Sequence, residues 1–264
     1  MHGGRDPNPT TSVDTVDVAA KPTAPSAQAE ASYAKAIREL SEFGRPFLLA
    51  GTYALSAHTG VSRTTKDLDI FCKPGDFARI LGHFKSLGYR IEVEDERWLG
   101  KVFCGEHFFD LIFASWHGMA PVSDQWFDHA LHMEVLGTCV QVIAPTELIW
   151  SKAFVQLRHR YDGADIVHLM LKQHDRIDWH QLLAYMDLHW EILLKHVVNF
   201  RWAYPSEREH VPRWLMDELL DRLKRQLDLP PPRWKICRGR MLSQIDYAPA
   251  VEEWGFADVS ERHE

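Results

Sequence analysis

The chain has 264 residues, of which 45% are hydrophobic and 25% charged, a globular composition with room for one large domain or two modest ones. The formal net charge of −7 argues against a protein that coats nucleic acid non-specifically, although it allows a local basic groove. No stretch approaches the roughly 20 apolar residues of a membrane span, and the first residues lack a secretory pattern. The four cysteines lie too far apart for a disulfide framework or a zinc ribbon, so we expect reduced thiols in a cytoplasmic protein.

The first part of the chain is rich in Pro, Thr, Ser, Ala and Asp and nearly lacks large apolar residues. Such a segment cannot bury enough surface to offset its ordering entropy, so we predict a disordered tail over residues 1–31. Tyr33, Ile37, Leu40 and Phe43 then recur at spacings of three or four, which predicts an amphipathic helix.

The next hundred residues alternate between predicted strands and helices. Strands are expected at 46–50, 67–73, 90–94, 101–104, 108–113 and 139–143, and helices at 52–58, 76–87 and 123–130. From Pro145 onward the pattern is helical almost to the end. We therefore predict an α+β core over residues 32–144 and an α-helical C-terminal domain over residues 145–264.

Two aspartates stand two residues apart in one predicted strand, in the run Lys66-Asp67-Leu68-Asp69-Ile70. Residues two apart on a strand share a face, so Asp67 and Asp69 project side by side. Two such carboxylates repel each other unless a cation lies between them, and Mg²⁺ prefers oxygen ligands. The alternative is a solvated strand end or a helix cap.

A third acid interrupts the apolar run Phe108-Phe109-Asp110-Leu111-Ile112-Phe113. A lone ionised aspartate in a buried strand is costly unless it is paired or bound to metal. If this strand lies beside that of Asp67 and Asp69, the three acids form one cage, in which two metals could activate a nucleophile and stabilise a leaving pyrophosphate. The rival interpretation is a salt bridge from Asp110 to Arg63 or Lys101.

A glycine turn supplies the other half of a phosphate site. Gly51 follows a predicted strand and precedes a predicted helix, so its backbone can approach a ligand closely. The Thr52 hydroxyl and the first amides of the helix are suited to bind phosphate oxygens. Fourteen residues separate Thr52 from the Asp-x-Asp pair.

Together these residues resemble the polymerase-β nucleotidyltransferase superfamily, in particular its small bacterial members, which include toxin-type and antitoxin-type proteins. Gly51, Asp67, Asp69 and Asp110 match the family pattern of a small Gly-Gly or Gly-Ser turn, Asp-x-Asp and a later third Asp. Thr52 replaces the usual Gly or Ser, and the spacer is long. The resemblance implies a nucleotidyltransferase-type mixed sheet flanked by helices, with all three aspartates as catalytic metal ligands.

Three basic residues are further candidates. Helical spacing in Pro145-Thr146-Glu147-Leu148-Ile149-Trp150-Ser151-Lys152 places Lys152 on the inward stripe, and the resemblance implies that it contacts a nucleoside triphosphate. The alternative is a structural pairing of Lys152 with Glu147 or Asp165. Arg63 and Lys66 are candidates to steer or clamp phosphates, although a charged loop is more often simply solvated. Asp162 is expected to cap the following helix.

The resemblance implies an enzyme that moves a nucleoside monophosphate from a nucleoside triphosphate, with ATP as the default, to an acceptor hydroxyl. It implies Mg²⁺ or Mn²⁺ and pyrophosphate release. The alternative is a non-catalytic nucleotide-binding or antitoxin-like interaction module on the same fold. The acceptor (a tRNA end, a protein or a small molecule) and the oligomeric state are not readable from the sequence.

The C-terminal part adds two weaker expectations. Residues 201–240 hold ten Lys or Arg against six Asp or Glu, which favours a charged helical face over an RNA-binding surface. Trp202, Trp214, Trp234 and Trp254 are expected to be core anchors rather than base-stacking platforms.

Overall fold

The computed structural model describes residues 26–115 and 120–259. Its helices are α1 (Ala27–Phe43), α2 (Gly51–Thr59), α3 (Pro74–Ser86), α4 (Asp124–His129), α5 (Pro145–Ala153), α6 (Gly163–Gln173), α7 (Trp179–Tyr185), α8 (Trp190–Ala203), α9 (Arg213–Leu227) and α10 (Ala248–Glu252). Its strands are β1 (Phe47–Leu49), β2 (Asp67–Cys72), β3 (Arg90–Asp95), β4 (Leu99–Cys104), β5 (His107–Ile112), β6 (Ala114–Ser115), β7 (Ala120–Pro121), β8 (Leu131–Val135), β9 (Thr138–Val142), β10 (Ile236–Cys237) and β11 (Ala257–Asp258).

A seven-stranded sheet organises the first half, in the order β3-β4-β5-β2-β1-β9-β8. The pairs β2–β5 and β1–β9 are parallel and the other four pairs are antiparallel, so the sheet is mixed. Helices flank it, and a mainly helical region follows. The predicted α+β class, with a mixed sheet and a helical C-terminal region, is confirmed.

The first helix begins earlier than predicted. Ser26 caps it, because its side chain accepts a hydrogen bond from the amide of Ala29 at 3.1 Å. Gly44 ends it in the left-handed conformation, with φ of 71°. The predicted tail is therefore wrong over residues 27–31, where the cap and alanine-rich sequence favour helix. Its residues 1–25 lie outside the described residues.

One strand of the large sheet is missing from the sequence prediction. β8 pairs antiparallel with β9 over five residues and forms an edge of the sheet. Leu, Met and Glu in β8 favour helix when taken alone, so only its pairing with β9 makes it a strand.

The helical region packs onto the sheet half through α2, which contacts both α5 and α6. Its core comes from buried side chains such as Leu193, Val197, Phe200 and Leu215. The prediction that four tryptophans anchor this core is wrong: the exposed fractions are 83% for Trp202, 82% for Trp234, 61% for Trp254 and 36% for Trp214. Leucine, valine and phenylalanine side chains fill this core instead. Within the described ranges, no helix combines the length and apolar character needed to cross a membrane.

Candidate active site

The three predicted acids lie on one face of the sheet. In the parallel register of β2 and β5, Asp69 is the Cα partner of Asp110, and Asp67 lies two positions before Asp69. Strand alternation sends the intervening side chains to the opposite face, where Leu68, Ile70, Phe109 and Leu111 are fully buried. Apolar burial on one face therefore forces the acids onto the other.

Gly51 brings the start of α2 against this acidic face. Its φ of +59° is left-handed, and a β-carbon built at this position would overlap the Asp69 carboxylate. The neighbouring Ala50 amide donates a hydrogen bond to the Asp69 carbonyl at 3.0 Å. Glycine is therefore required at this position by both backbone conformation and space.

A cavity of about 90 Å³ separates the acidic face from the helical region. Gly51, Asp69 and Asp110 line one side of it. Lys152 on α5 and Arg160, in the loop between α5 and α6, line it from the helical region. The cavity thus places carboxylates and cations together, with the glycine turn at its margin.

The two paired carboxyl groups are electrostatically unfavourable as they stand. Burial, together with the neighbouring Asp67, raises the pKa of Asp69 to about 6. Burial, followed by the charges of Asp69 and Asp67, raises the pKa of Asp110 to about 8. One oxygen of Asp110, Oδ1, is buried and makes no hydrogen bond to any described residue. A bound cation would reduce the repulsion between the carboxylates and would give Asp110 Oδ1 a partner.

The ion pairs considered as alternatives for Asp110 are not formed. Lys101 is its Cα partner on β4, but the Lys101 ammonium pairs with Glu94. Arg63 binds Asp165 instead. Among the described residues, no cation lies within ion-pair distance of the Asp110 carboxylate.

The donor chemistry fits a hard divalent cation, since all three groups offer carboxylate oxygens. Within the described part of the chain, however, no three acidic, histidine or cysteine side chains are close enough to hold a metal ion as they stand. Asp67 accepts a hydrogen bond from the Thr65 hydroxyl at 2.9 Å. Neighbouring strands are only about 4.8 Å apart, so side-chain rotation can bring Asp69 and Asp110 to one cation without moving the backbone.

Lys152 is buried and has anionic partners, as its inward position predicts. Its Nζ lies 2.8 Å from Asp162 Oδ2 and 2.9 Å from Asp165 Oδ2, and its side chain is 5% exposed. The sequence suggested Glu147 or Asp165 as structural partners of Lys152, and Lys152 pairs with Asp165. Glu147 instead accepts a hydrogen bond from the Tyr185 hydroxyl at 3.1 Å.

Asp162 stands at the N-cap position of α6, as predicted, but its side chain makes no capping hydrogen bond. Its carboxylate binds Lys152 and Arg160 instead. Burial alone would raise the pKa of Asp162, but the two cations hold it below its usual range. The capping prediction fails because Asp162 lacks the extended backbone typical of an N-cap (φ −85°, ψ 8°) and its carboxylate is engaged by Lys152 and Arg160.

The other predicted phosphate ligands lie beside the cavity rather than in it. Both terminal nitrogens of Arg63 donate to Asp165 at 2.6 Å, which fixes the loop before β2 to α6. Thr52 and Arg63 share a separate small cleft. Lys66 is exposed, and its carbonyl accepts a hydrogen bond from the Tyr33 hydroxyl at 3.0 Å.

Arg160 was not identified from the sequence. It belongs to the run Arg158-His159-Arg160, which resembles any solvated basic loop. Only the fold places one of these two arginines at the cavity of Asp69 and Asp110. No local spacing distinguishes Arg160 from Arg158.

Comparison with known proteins gives matches to solved structures alone. No protein-family model matches the chain, and no curated protein matches it. The antibiotic-resistance factor ANT(2'')-Ia is 17% identical, with 69% of this chain and 95% of that chain covered and a TM-score of 0.42. The lincosamide antibiotic adenylyltransferase LnuA is 14% identical, with 53% of this chain and 95% of that chain covered and a TM-score of 0.41. An antigenic nucleotidyltransferase-like protein from Paracoccidioides brasiliensis is 12% identical, with 71% of this chain and 94% of that chain covered and a TM-score of 0.44. Likeness at this level assigns no activity.

Proposed function

We propose that this chain is a Mg²⁺-dependent nucleotidyltransferase. It would move a nucleoside monophosphate from a nucleoside triphosphate, ATP by default, to an acceptor hydroxyl and release pyrophosphate. The observation that supports this most is the register pairing of Asp69 with Asp110 in a cavity that also contains Gly51 and two cations. We further propose a cytoplasmic protein, in keeping with its four free cysteines.

In this proposal Asp67, Asp69 and Asp110 hold the divalent metal. When bound, the metal supplies Lewis-acid stabilisation of the charge that develops on the phosphoryl oxygens. Asp110 takes the proton of the acceptor hydroxyl, whose oxygen forms a bond to the α-phosphorus. The bond from the α-phosphorus to the bridging oxygen breaks, and pyrophosphate leaves with that oxygen.

The glycine turn binds the phosphate tail. The Gly51 backbone and the first amides of α2 would offer donors to phosphate oxygens, and the Thr52 hydroxyl would add another from the neighbouring cleft. Lys152 contributes positive charge from the opposite wall of the cavity, while Arg63 and Lys66 lie in the adjoining loop. The helical region selects the acceptor, whose hydroxyl must reach Asp110.

The test is transfer of label from α-³²P-labelled nucleoside triphosphates into a cell extract with Mg²⁺. The wild-type chain should label one acceptor and release pyrophosphate. An Asp67→Asn/Asp69→Asn variant should do neither, whereas the exposed Asp217→Asn control should match wild type. Equal labelling by the double variant would exclude this site as the catalytic centre.

A non-catalytic nucleotide-binding or antitoxin-like module is the second candidate. The observation that favours it is that, within the described residues, the acids do not converge to metal-binding distance as they stand. Calorimetry with a panel of nucleotides, with and without Mg²⁺, tests for binding. Tight nucleotide binding without pyrophosphate release, across many acceptors, would support the module.

A further inference from the structure

The cation predicted to contact the phosphates, Lys152, is already occupied. It is 5% exposed and lies at 2.8 and 2.9 Å from two carboxylates, those of Asp162 and Asp165. One ammonium therefore bridges two buried carboxylates. Moving Lys152 away to reach a ligand would leave Asp162 with only its long contacts to Arg160 and Asp165 with only Arg63, which is costly for buried carboxylates.

Arg63 is occupied in the same way. Both of its terminal nitrogens bind Asp165 at 2.6 Å in a two-pronged pair. This geometry is the strongest that a guanidinium forms with a carboxylate. Arg63 also lines a different cleft from the one that contains Asp69 and Asp110.

Arg160 is held only loosely. Its side chain is 53% exposed. Its contacts to Asp162 are long, at 3.3 Å from Nε and 3.5 Å from Nη2. Asp162 already accepts a shorter bond from Lys152 at 2.8 Å. The third guanidinium nitrogen, Nη1, makes no hydrogen bond to a described residue, so within this part of the chain Arg160 retains donors without a protein acceptor.

The backbone that carries Arg160 is nevertheless fixed. Leu157 and Arg160 exchange backbone hydrogen bonds at 2.8 and 3.3 Å, and Gln156 and Tyr161 form a bridge beside them. This tight hairpin joins α5 to α6 and places Arg160 at the cavity. Arg160 thus combines a hydrogen-bonded backbone with a partly exposed guanidinium that makes only long contacts.

We propose that Arg160 is the side chain that binds the β- and γ-phosphates of the nucleotide, and that Lys152 positions Asp162 and Asp165 without touching the substrate. This inference rests on the proposed function. A planar guanidinium matches the spacing of phosphate oxygens. The phosphate groups also offer it more acceptor oxygens than the Asp162 carboxylate, to which its contacts are long. Phosphate binding would release Asp162 from Arg160 while Lys152 continues to neutralise it.

The test is calorimetric binding of Mg²⁺-ATP, Mg²⁺-pyrophosphate and AMP to Arg160→Gln, Arg160→Lys and Arg158→Gln. Arg158 is the matched control, because it lies two residues away, is 86% exposed and pairs with Asp246. We expect Arg160→Gln to weaken ATP and pyrophosphate binding by about tenfold or more, with AMP much less affected. Arg160→Lys should be intermediate, and Arg158→Gln should match wild type.

Three results would overturn the inference. Equal ATP binding by wild type and Arg160→Gln would exclude Arg160 as a phosphate ligand without affecting the proposed function. A Lys152→Gln variant that keeps its thermal midpoint but loses ATP affinity as strongly as Arg160→Gln would assign the contact to Lys152. Failure of the wild-type protein to bind either ATP or pyrophosphate would contradict the proposed function and, with it, the role of Arg160.

Discussion

Asp69 and Asp110 are Cα partners across the parallel strands β2 and β5, although forty residues separate them in sequence. Their proximity is set by backbone hydrogen bonding and by the apolar side chains on the opposite face. A one-residue slip of either strand would turn its acids toward the core and its apolar side chains toward the site. The register of the sheet and the acidic site are therefore specified by the same apolar pattern.

Gly51→Ala should abolish the site. Its left-handed φ of +59° costs an alanine roughly 1–2 kcal/mol. The added methyl group also displaces the Asp69 carboxylate. We expect loss of Mg²⁺-dependent nucleotide binding, measured by calorimetry.

Gly60→Ala is the matched control. Gly60 also has a left-handed φ, of +74°, but a β-carbon there meets nothing within 4 Å. It should lose a similar amount of stability, measured by urea unfolding, and keep nucleotide binding. Nucleotide binding retained in Gly51→Ala would show that the close approach to Asp69 is unimportant.

Stability without metal should fall as the pH rises. Asp110 binds a proton more tightly in the folded chain, where its pKa is about 8, than in the unfolded chain, where it is near 3.8. The stabilising effect is therefore full at acidic pH and is lost between about pH 4 and pH 8. The maximal slope for one group is ~1.4 kcal/mol per pH unit.

Urea unfolding at several pH values, in the presence of a chelator, measures this effect. Asp110→Asn should reduce the slope, most clearly above about pH 6, the pKa of Asp69, and the exposed Asp217→Asn should leave the profile unchanged. A wild-type profile that rises across this window would contradict the environment assigned to Asp110.

Lys152→Met should destabilise the fold much more than the substitution of an exposed lysine does. The substitution removes the cation that Asp162 and Asp165 share and leaves them Arg160 and Arg63, so we expect the free energy of unfolding to fall by about 3 kcal/mol, the low end for a broken buried pair. The exposed Lys224→Met, which breaks a surface pair with Asp221, should cost less than about 1 kcal/mol. Chemical denaturation of both variants measures the difference, and equal losses would refute the structural role of Lys152.

Local patterns were sufficient to predict much of the sheet half. Alternation around Asp67 and Asp69, and the single acid in the strand of Asp110, predicted both the elements and the shared face. The turn at Gly51 followed from its position between a strand and a helix. These features depend on neighbours in sequence, where period and turn chemistry are informative.

The remaining features depend on contacts distant in sequence. β8 is a strand only because β9 lies beside it, and its own residues favour helix. Arg160 and Arg158 look alike in the sequence, and the hairpin between α5 and α6 decides which one lines the cavity of Asp69 and Asp110. Asp162 occupies a capping position, but the Lys152 ammonium, ten residues earlier, takes its carboxylate.

Binding of Mn²⁺, followed by electron paramagnetic resonance with a non-hydrolysable ATP analogue present, tests the central claim most directly. The wild-type chain and Asp217→Asn should bind Mn²⁺, and Asp69→Asn/Asp110→Asn should bind none at the same concentrations. Mn²⁺ binding by the double variant equal to that of wild type, or none by the wild-type chain, would contradict the assignment of these acids as a metal site.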